Sequence, residues 1–290
     1  MKIVLAMPGS KRRMNLQESF WQRGIVDTGL EPHTTLCFQA NGAWAKSYPE
    51  DLLAYMDADA IAAEQYRFTS VRLDDGFQPK PYTHAFLDYE PKKRHDDPPS
   101  SWQGNKYRDG YNAHDLEALA AMRRGIQKAT DGLPLGSYRN PVLPKYTLTD
   151  ADGFRAESIR PFAESLDWQW LHCYPQYILG PGNIARYGAQ VATHFNALSE
   201  YGKRVIPWLW PSYQITASHA ENYGRWVVQT IAQLPGVDTV GVWVDCNQPN
   251  ATEKQIENMT EIAPYLRALD APYTDLKTNG LVPVTNANSK

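Results

Sequence analysis

The sequence predicts an α/β fold, a TIM-like (β/α) barrel, from three observations. Apolar strand-like runs alternate with amphipathic helical segments from one end of the 290 residues to the other, the pattern of a parallel sheet covered by helices. Seven or eight such units fit the length of one barrel. No G-x-G-x-x-G or Walker pattern occurs, which removes the best support for a nucleotide-binding doubly wound sheet. No break in composition marks a second domain. Residues 1–270 are expected to form a single barrel domain, with 271–290 as a loosely packed C-terminal tail.

In chain order, Ile3–Met7 is a first buried strand, closed by Pro8-Gly9-Ser10. Asn15–Arg23 has helical character around Phe20 and Trp21, and Thr34–Gln39 is a second apolar run ending before the turn signal Asn41-Gly42. Residues 51–63 place Leu52, Leu53, Met56 and Ile61 at near-helical spacing, and Phe68–Leu73 alternates as a short strand. Tyr82–Asp88 is the central buried strand, with apolar Ala85, Phe86 and Leu87 and with Pro81 and Pro91 punctuating its ends. The polar, Pro-rich stretch 91–112 is too long for a simple βα connection. With Trp102, Tyr107 and Tyr111, it is the expected substrate-facing loop.

Asp115–Ala129 is a helix with Leu116, Leu119, Met122 and Ile126 on one face, stopped by Gly132. Leu135–Tyr138 is extended and carries Arg139 and Asn140 at its end. A helix over Ala156–Leu166 leads to the strand Trp168–Tyr174. Helices Asn183–Tyr201, His219–Leu234 and Glu253–Leu269 then alternate with strands Arg204–Trp210 and Thr239–Asp245.

The composition excludes several classes of function. With 42% hydrophobic and 21% charged residues and a formal net charge of −3, nothing points to nucleic acid or an anionic membrane. Three cysteines, Cys37, Cys173 and Cys246, are an odd count without metal-type spacing; they read as buried small hydrophobes. The seven histidines are scattered and form no H-x-x-x-H or H-E pattern, so no metal or other cofactor is expected. A G-x-S-x-G elbow for a serine hydrolase is absent. The apolar N-terminal run is too short for a signal-peptide core, and no stretch reaches membrane-spanning length. What stands out is 17 Tyr and 9 Trp, rings with a flat apolar face and a polar tip that suit the faces and hydroxyls of sugars.

In a parallel barrel the active site lies where the strands end. The central strand ends in Asp88 and Glu90, which as i and i+2 residues face the same way with Cα atoms roughly 6.5–7 Å apart. Like charges so placed raise at least one pKa, the condition for a general acid at neutral pH. Taken alone, the pair reads equally as solvated loop acids beside Lys92, Lys93 and Arg94. The other strand ends carry Arg139 and Asn140, Tyr174 and Tyr177, Trp208, Trp210 and Tyr213, and Trp243 and Asp245. Carboxylates ringed by aromatic side chains form a constellation for cleaving a polysaccharide or oligosaccharide.

Four segments in order, Ala85-Phe-Leu-Asp88-Tyr-Glu90, Leu171-His-Cys-Tyr174-Pro-Gln-Tyr177 before a long helix, Val205-Ile-Pro-Trp-Leu-Trp-Pro-Ser-Tyr213 and Val240-Gly-Val-Trp243, resemble glycoside hydrolase family 56, the hyaluronidases, over roughly residues 80–260. The resemblance implies a distorted, seven-stranded barrel and a retaining, substrate-assisted hydrolysis. In it Glu90 protonates the glycosidic oxygen and later activates water. Asp88 orients the substrate's own 2-acetamido group as nucleophile, Tyr174 or Tyr177 hydrogen-bonds that group, and Trp243 walls the pocket. Trp102, Trp208, Trp210 and Tyr213 are candidates for stacking on neighbouring sugar units. The Tyr-Pro element is one residue shorter than in that family, which leaves Tyr174 and Tyr177 as alternatives. The family's disulfide arrangement is absent, and the loop 91–112 is this chain's own.

Two other readings stay open. A second carboxylate, with Asp245 the best placed, would suit a glycan without an N-acetyl group. A non-catalytic carbohydrate-binding barrel would use the same acids only to hydrogen-bond hydroxyls.

Overall fold

A computed structural model of the chain describes residues 1–6, 14–30, 36–41, 56–74, 82–88, 113–137, 156–174, 181–211, 217–244 and 248–281. These form a mixed α/β fold around a parallel sheet. Its seven strands are β1 (Lys2–Ala6), β2 (Leu36–Asn41), β3 (Tyr82–Asp88), β4 (Leu135–Ser137), β5 (Trp168–Cys173), β6 (Arg204–Leu209) and β7 (Thr239–Trp243), in the order β4-β3-β2-β1-β7-β6-β5. The helices are α1 (Met14–Ser19), which continues as a π-helical stretch Phe20–Val26, then α2 (Ala58–Asp74), α3 (Ala113–Ala129), α4 (Ala156–Ser165), α5 (Pro181–Ser199), α6 (Ala217–Ile231), α7 (Pro249–Ala268) and α8 (Tyr273–Thr278).

Every strand pair is parallel, as crossover helices require. The first and last strands of this order also meet. The Asp167 amide donates to the Leu135 carbonyl and the Leu135 amide donates to the Asp167 carboxylate, both at 2.8 Å. At the same junction the Trp168 indole N–H donates to the Pro134 carbonyl at 3.2 Å.

Side chains alternate faces along a strand, and here the alternation separates two chemistries. On β1 and β3 to β6 odd-numbered residues such as Leu5, Ala85, Leu135, Leu171 and Leu209, and on β7 the even-numbered Val240 and Val242, pack outward under the helices. One group of them lies against α5, α6 and α7, the other against α2, α3 and α4. The alternate residues face the other way and build a mostly aromatic cluster of Val4, Ala6, Phe86, Trp168, Trp170, Tyr174, Ile206 and Trp208, with Trp210 and Trp243 packed against it. Room for the indoles comes from two strand glycines. A Cβ on Gly136 would lie 2.4 Å from the Trp168 ring, and one on Gly241 would lie 2.2 Å from the Trp208 ring.

Two segments differ from the sequence expectation. The short strand predicted at Phe68–Leu73 is the second half of α2. Ile61, Gln65 and Thr69 lie four residues apart on its buried side, whereas Val71, part of the apparent alternation, is 51% exposed. Helical spacing decides where a short apolar run is ambiguous. The stretch after Asp270, expected as loose tail, begins with α8, whose Leu276 is buried against Val228.

His84 stands on β3 two residues before Phe86, edge-on to Trp168 with ring centroids 6.3 Å apart. Burial, and then the nearby Arg204 and Lys2 charges, lower its pKa from 6.5 to about 4, with Asp238 opposing. The folded value lies below the unfolded one, so protonation favours unfolding. The stability linked to neutral His84 is complete above about pH 6.5 and is lost as pH falls towards about 4. At 1.36 kcal/mol per pKa unit this is on the order of 3 kcal/mol. Urea unfolding from pH 7 to pH 4 should therefore lose less stability in His84→Gln than in the parent chain. Gly241→Ala should destabilise by about 1–3 kcal/mol through overpacking against Trp208, measured as a fall in the urea midpoint at constant slope.

Candidate functional site

The aromatic cluster has a closed part and an open part, ordered along the strands. Its closed part is the parallel stack of Trp170 on Trp208, with ring centroids 4.0 Å apart and planes within 2°. Trp168 lies beside the pair, at 5.8 Å from Trp208 and 6.2 Å from Trp170. Phe86 closes the arrangement across from β3, 5.2 Å from Trp170 and 5.8 Å from Trp208. All four rings are buried.

One step further along each strand, at the C-terminal ends, the rings become accessible. His172, Trp210 and Trp243 are half-buried, and Tyr174 beside them is 5% exposed. Tyr174 meets His172 edge-to-face at 4.9 Å and Trp210 at 5.5 Å, and Trp243 approaches Phe86 at 6.1 Å. The result is a floor of flat apolar faces over a water-excluding base. Polar groups lie among the faces in the His172 imidazole, the Tyr174 phenol and the Trp243 indole, whereas the Trp210 indole nitrogen is itself buried. Such a surface can stack on the C–H face of a sugar ring and hydrogen-bond its hydroxyls.

Tyr174 belongs to the aromatic cluster, and Trp210 and Trp243 pack against it at this end. The structure corrects Trp208, which the sequence placed among rings stacking on sugar units. Trp208 is fully buried, and Trp170 covers its face. The backbone of Asp88 closes β3 at the same end, in register with Asn41 of β2 and two residues beyond Phe86. Glu90, Tyr177, Asp245, Tyr213, Trp102, Arg139, Asn140 and the basic run 92–94 lie outside the described residues.

His172 was not singled out by the sequence, although its signal was there. It shares strand parity with Trp170 and Tyr174, the last being its companion at the C-terminal end of β5. The neighbouring Cys173 has the opposite parity and is fully buried under the helices. Burial pushes its thiol pKa up, so it stays a protonated, inert side chain. Among the described residues, no three His, Cys, Asp or Glu side chains come together as metal ligands.

No protein-family model and no curated protein matches the chain. Among solved structures it is similar to a glucosidase from Croceicoccus marinus, at 13% identity and a TM-score of 0.39, with 71% of this chain and 46% of that chain covered. This chain thus spans about half the length of the glucosidase. It is also similar to a D-psicose 3-epimerase from Clostridium cellulolyticum H10, solved with D-tagatose, at 10% identity and a TM-score of 0.35, with 93% and 98% of the two chains covered.

Closed and open rings should separate by mutation. Trp208→Ala is expected to cost about 3–5 kcal/mol of stability, the range for deleting a fully buried aromatic ring. Trp243→Ala should cost clearly less, because part of that ring already meets water. Comparing the two urea midpoints tests the division, and equal losses would contradict it.

Proposed function

We propose that the chain is a glycoside hydrolase of seven-stranded TIM-barrel type, endo-acting on a polysaccharide with retention of configuration. The observation that carries this reading is the half-buried aromatic floor of His172, Trp210 and Trp243 at the C-terminal ends of the strands, where β3 also ends in Asp88. A barrel places its chemistry at that end, and sugars bind to flat rings edged by polar groups.

Glu90 is the general acid and then the general base. It protonates the glycosidic oxygen as the bond to the anomeric carbon breaks, and later takes a proton from the attacking water. An apolar floor and a like charge two residues away both raise a carboxyl pKa, which lets the acid hold its proton near neutrality. Asp88 orients the substrate's 2-acetamido group, whose carbonyl oxygen attacks the anomeric carbon. Two acids on one strand face are poorly arranged to flank a scissile bond from opposite sides, as enzymes using two carboxylates require. An internal nucleophile resolves that geometry. Trp243 and Trp210 support the sugar rings, and Tyr174 or Tyr177 hydrogen-bonds the acetamido group.

The test is a screen of glycosaminoglycans, chitin-type polymers and neutral polysaccharides with sizing of the products, followed by Glu90→Gln on the substrate found. Loss of cleavage by about 10²–10⁴-fold, the usual contribution of a general acid–base group, with glycan binding retained, supports the assignment. Unchanged cleavage excludes it. If the parent chain binds but cleaves nothing, the barrel is a carbohydrate-binding module instead. Turnover of a substrate stripped of its acetamido groups excludes substrate assistance and directs attention to Asp245 as the second carboxylate.

A further inference from the structure

We propose that Tyr223, a helix residue outside the sheet, is a positioning residue of this site. Its hydroxyl sets the spacing of β5 and β6 where His172, Tyr174 and Trp210 stand. The inference rests on the reading that these strand ends bind the substrate. Tyr223 lies on α6 and is 1% exposed, with its ring stacked on Trp226 at 5.9 Å and 12°. The ring is therefore held by the helix-side core independently of its hydroxyl.

The hydroxyl reaches between two strand ends. It donates to the carbonyl of Cys173 and accepts the backbone N–H of Trp210 at 3.4 Å. Paired residues of β5 and β6 run from Trp168 with Arg204 to Cys173 with Leu209. Beyond that pair the Tyr223 hydroxyl stands between the strands and links them.

Both main-chain groups it holds adjoin the accessible floor. Cys173 separates His172 from Tyr174, and Trp210 carries the third ring. A displacement of about 1 Å at a substrate-positioning element is enough to impair binding and turnover. The hydroxyl is suited to a permanent role, because burial raises its pKa well above the usual phenol range and keeps it a donor at all physiological pH.

Tyr223→Phe keeps the ring and removes only the bridge. Ile262→Ala, a core truncation on α7, serves as the destabilised control. The full chain and both variants are titrated calorimetrically with chitohexaose and with hyaluronan oligosaccharides, well below their unfolding transitions. Nitrogen-15 relaxation of the Trp210 amide and indole is recorded alongside.

Binding about tenfold weaker in Tyr223→Phe, with Trp210 more mobile and Ile262→Ala binding as the parent does, supports the proposal. The factor is what loss of one hydrogen bond of about 1.4 kcal/mol gives. Parent-like binding in Tyr223→Phe, or equal weakening in both variants, overturns it. If the parent chain binds neither sugar, nor any polymer of the substrate screen, the glycan reading fails separately. The relaxation data then decide: unchanged Trp210 dynamics in Tyr223→Phe overturn the positioning role, and increased mobility supports it.

Discussion

The face-to-face contact of Trp170 and Trp208 is the constraint on which the rest of the molecule depends. Two indoles 4.0 Å apart from adjacent strands, with Trp168 as a third indole beside them at 28–30°, fill that layer. Their other neighbours must be small or must approach at a steep angle. Gly241 answers the first need beside Trp208 and Gly136 does so beside Trp168, where a methyl group would come within 2.2 Å and 2.4 Å of the rings. Phe86 answers the second, with planes tilted about 60° to both indoles. Close packing of this kind tolerates little adjustment. Among the described side chains, the strands are therefore fixed by the aromatic layer as well as by the helices on the other face.

That filling also decides where chemistry can occur. The aromatic side of the sheet could open at either end of the strands, but the indoles fill the middle. At the N-terminal end Trp168 covers the junction of β4 and β5, and His84 is held neutral beside it. Accessible rings remain at the C-terminal ends of β5, β6 and β7.

The alternation of residue types made the architecture legible. Runs such as Val240-Gly-Val-Trp243 carry small aliphatic residues on one parity and glycine or indole on the other, and the two parities go to different environments. Helix positions followed in the same way from their apolar stripes. The failures share a physical cause. Phe68–Leu73 was too short to distinguish a strand from a helix, and three-dimensional burial of Gln65 and Thr69 decided it. Trp208 and Trp210 are chemically identical and lie two residues apart on one face. Only the diagonal stacking of Trp170 on Trp208, which lies opposite His172 in register, determines that the first is packing and the second is surface. His172 was overlooked because a single histidine in an apolar strand resembles core, and Tyr223 because its role is exerted through the backbone of two other residues. Much of the proposed catalytic set remains legible by sequence alone, since Glu90, Tyr177 and Asp245 lie outside the described residues.

The electrostatics of the open end oppose each other, and magnitudes decide between them. In βα units the helix following a strand starts near that strand's C-terminal end, where its positive pole favours a carboxylate. A helix pole stabilises a carboxylate by about 0.3–1 kcal/mol, which lowers its pKa by less than one unit. An apolar environment and a neighbouring carboxylate act the other way, with burial alone able to raise a carboxyl by several units. An acid carried over the Trp210–Trp243 floor would thus keep its proton near neutrality despite the helices. One set back towards the helix N-termini would ionise. The division of labour proposed for Glu90 and Asp88 requires the proton donor to meet more of the apolar surface than its partner, whose lasting negative charge can steady a developing cation on the substrate.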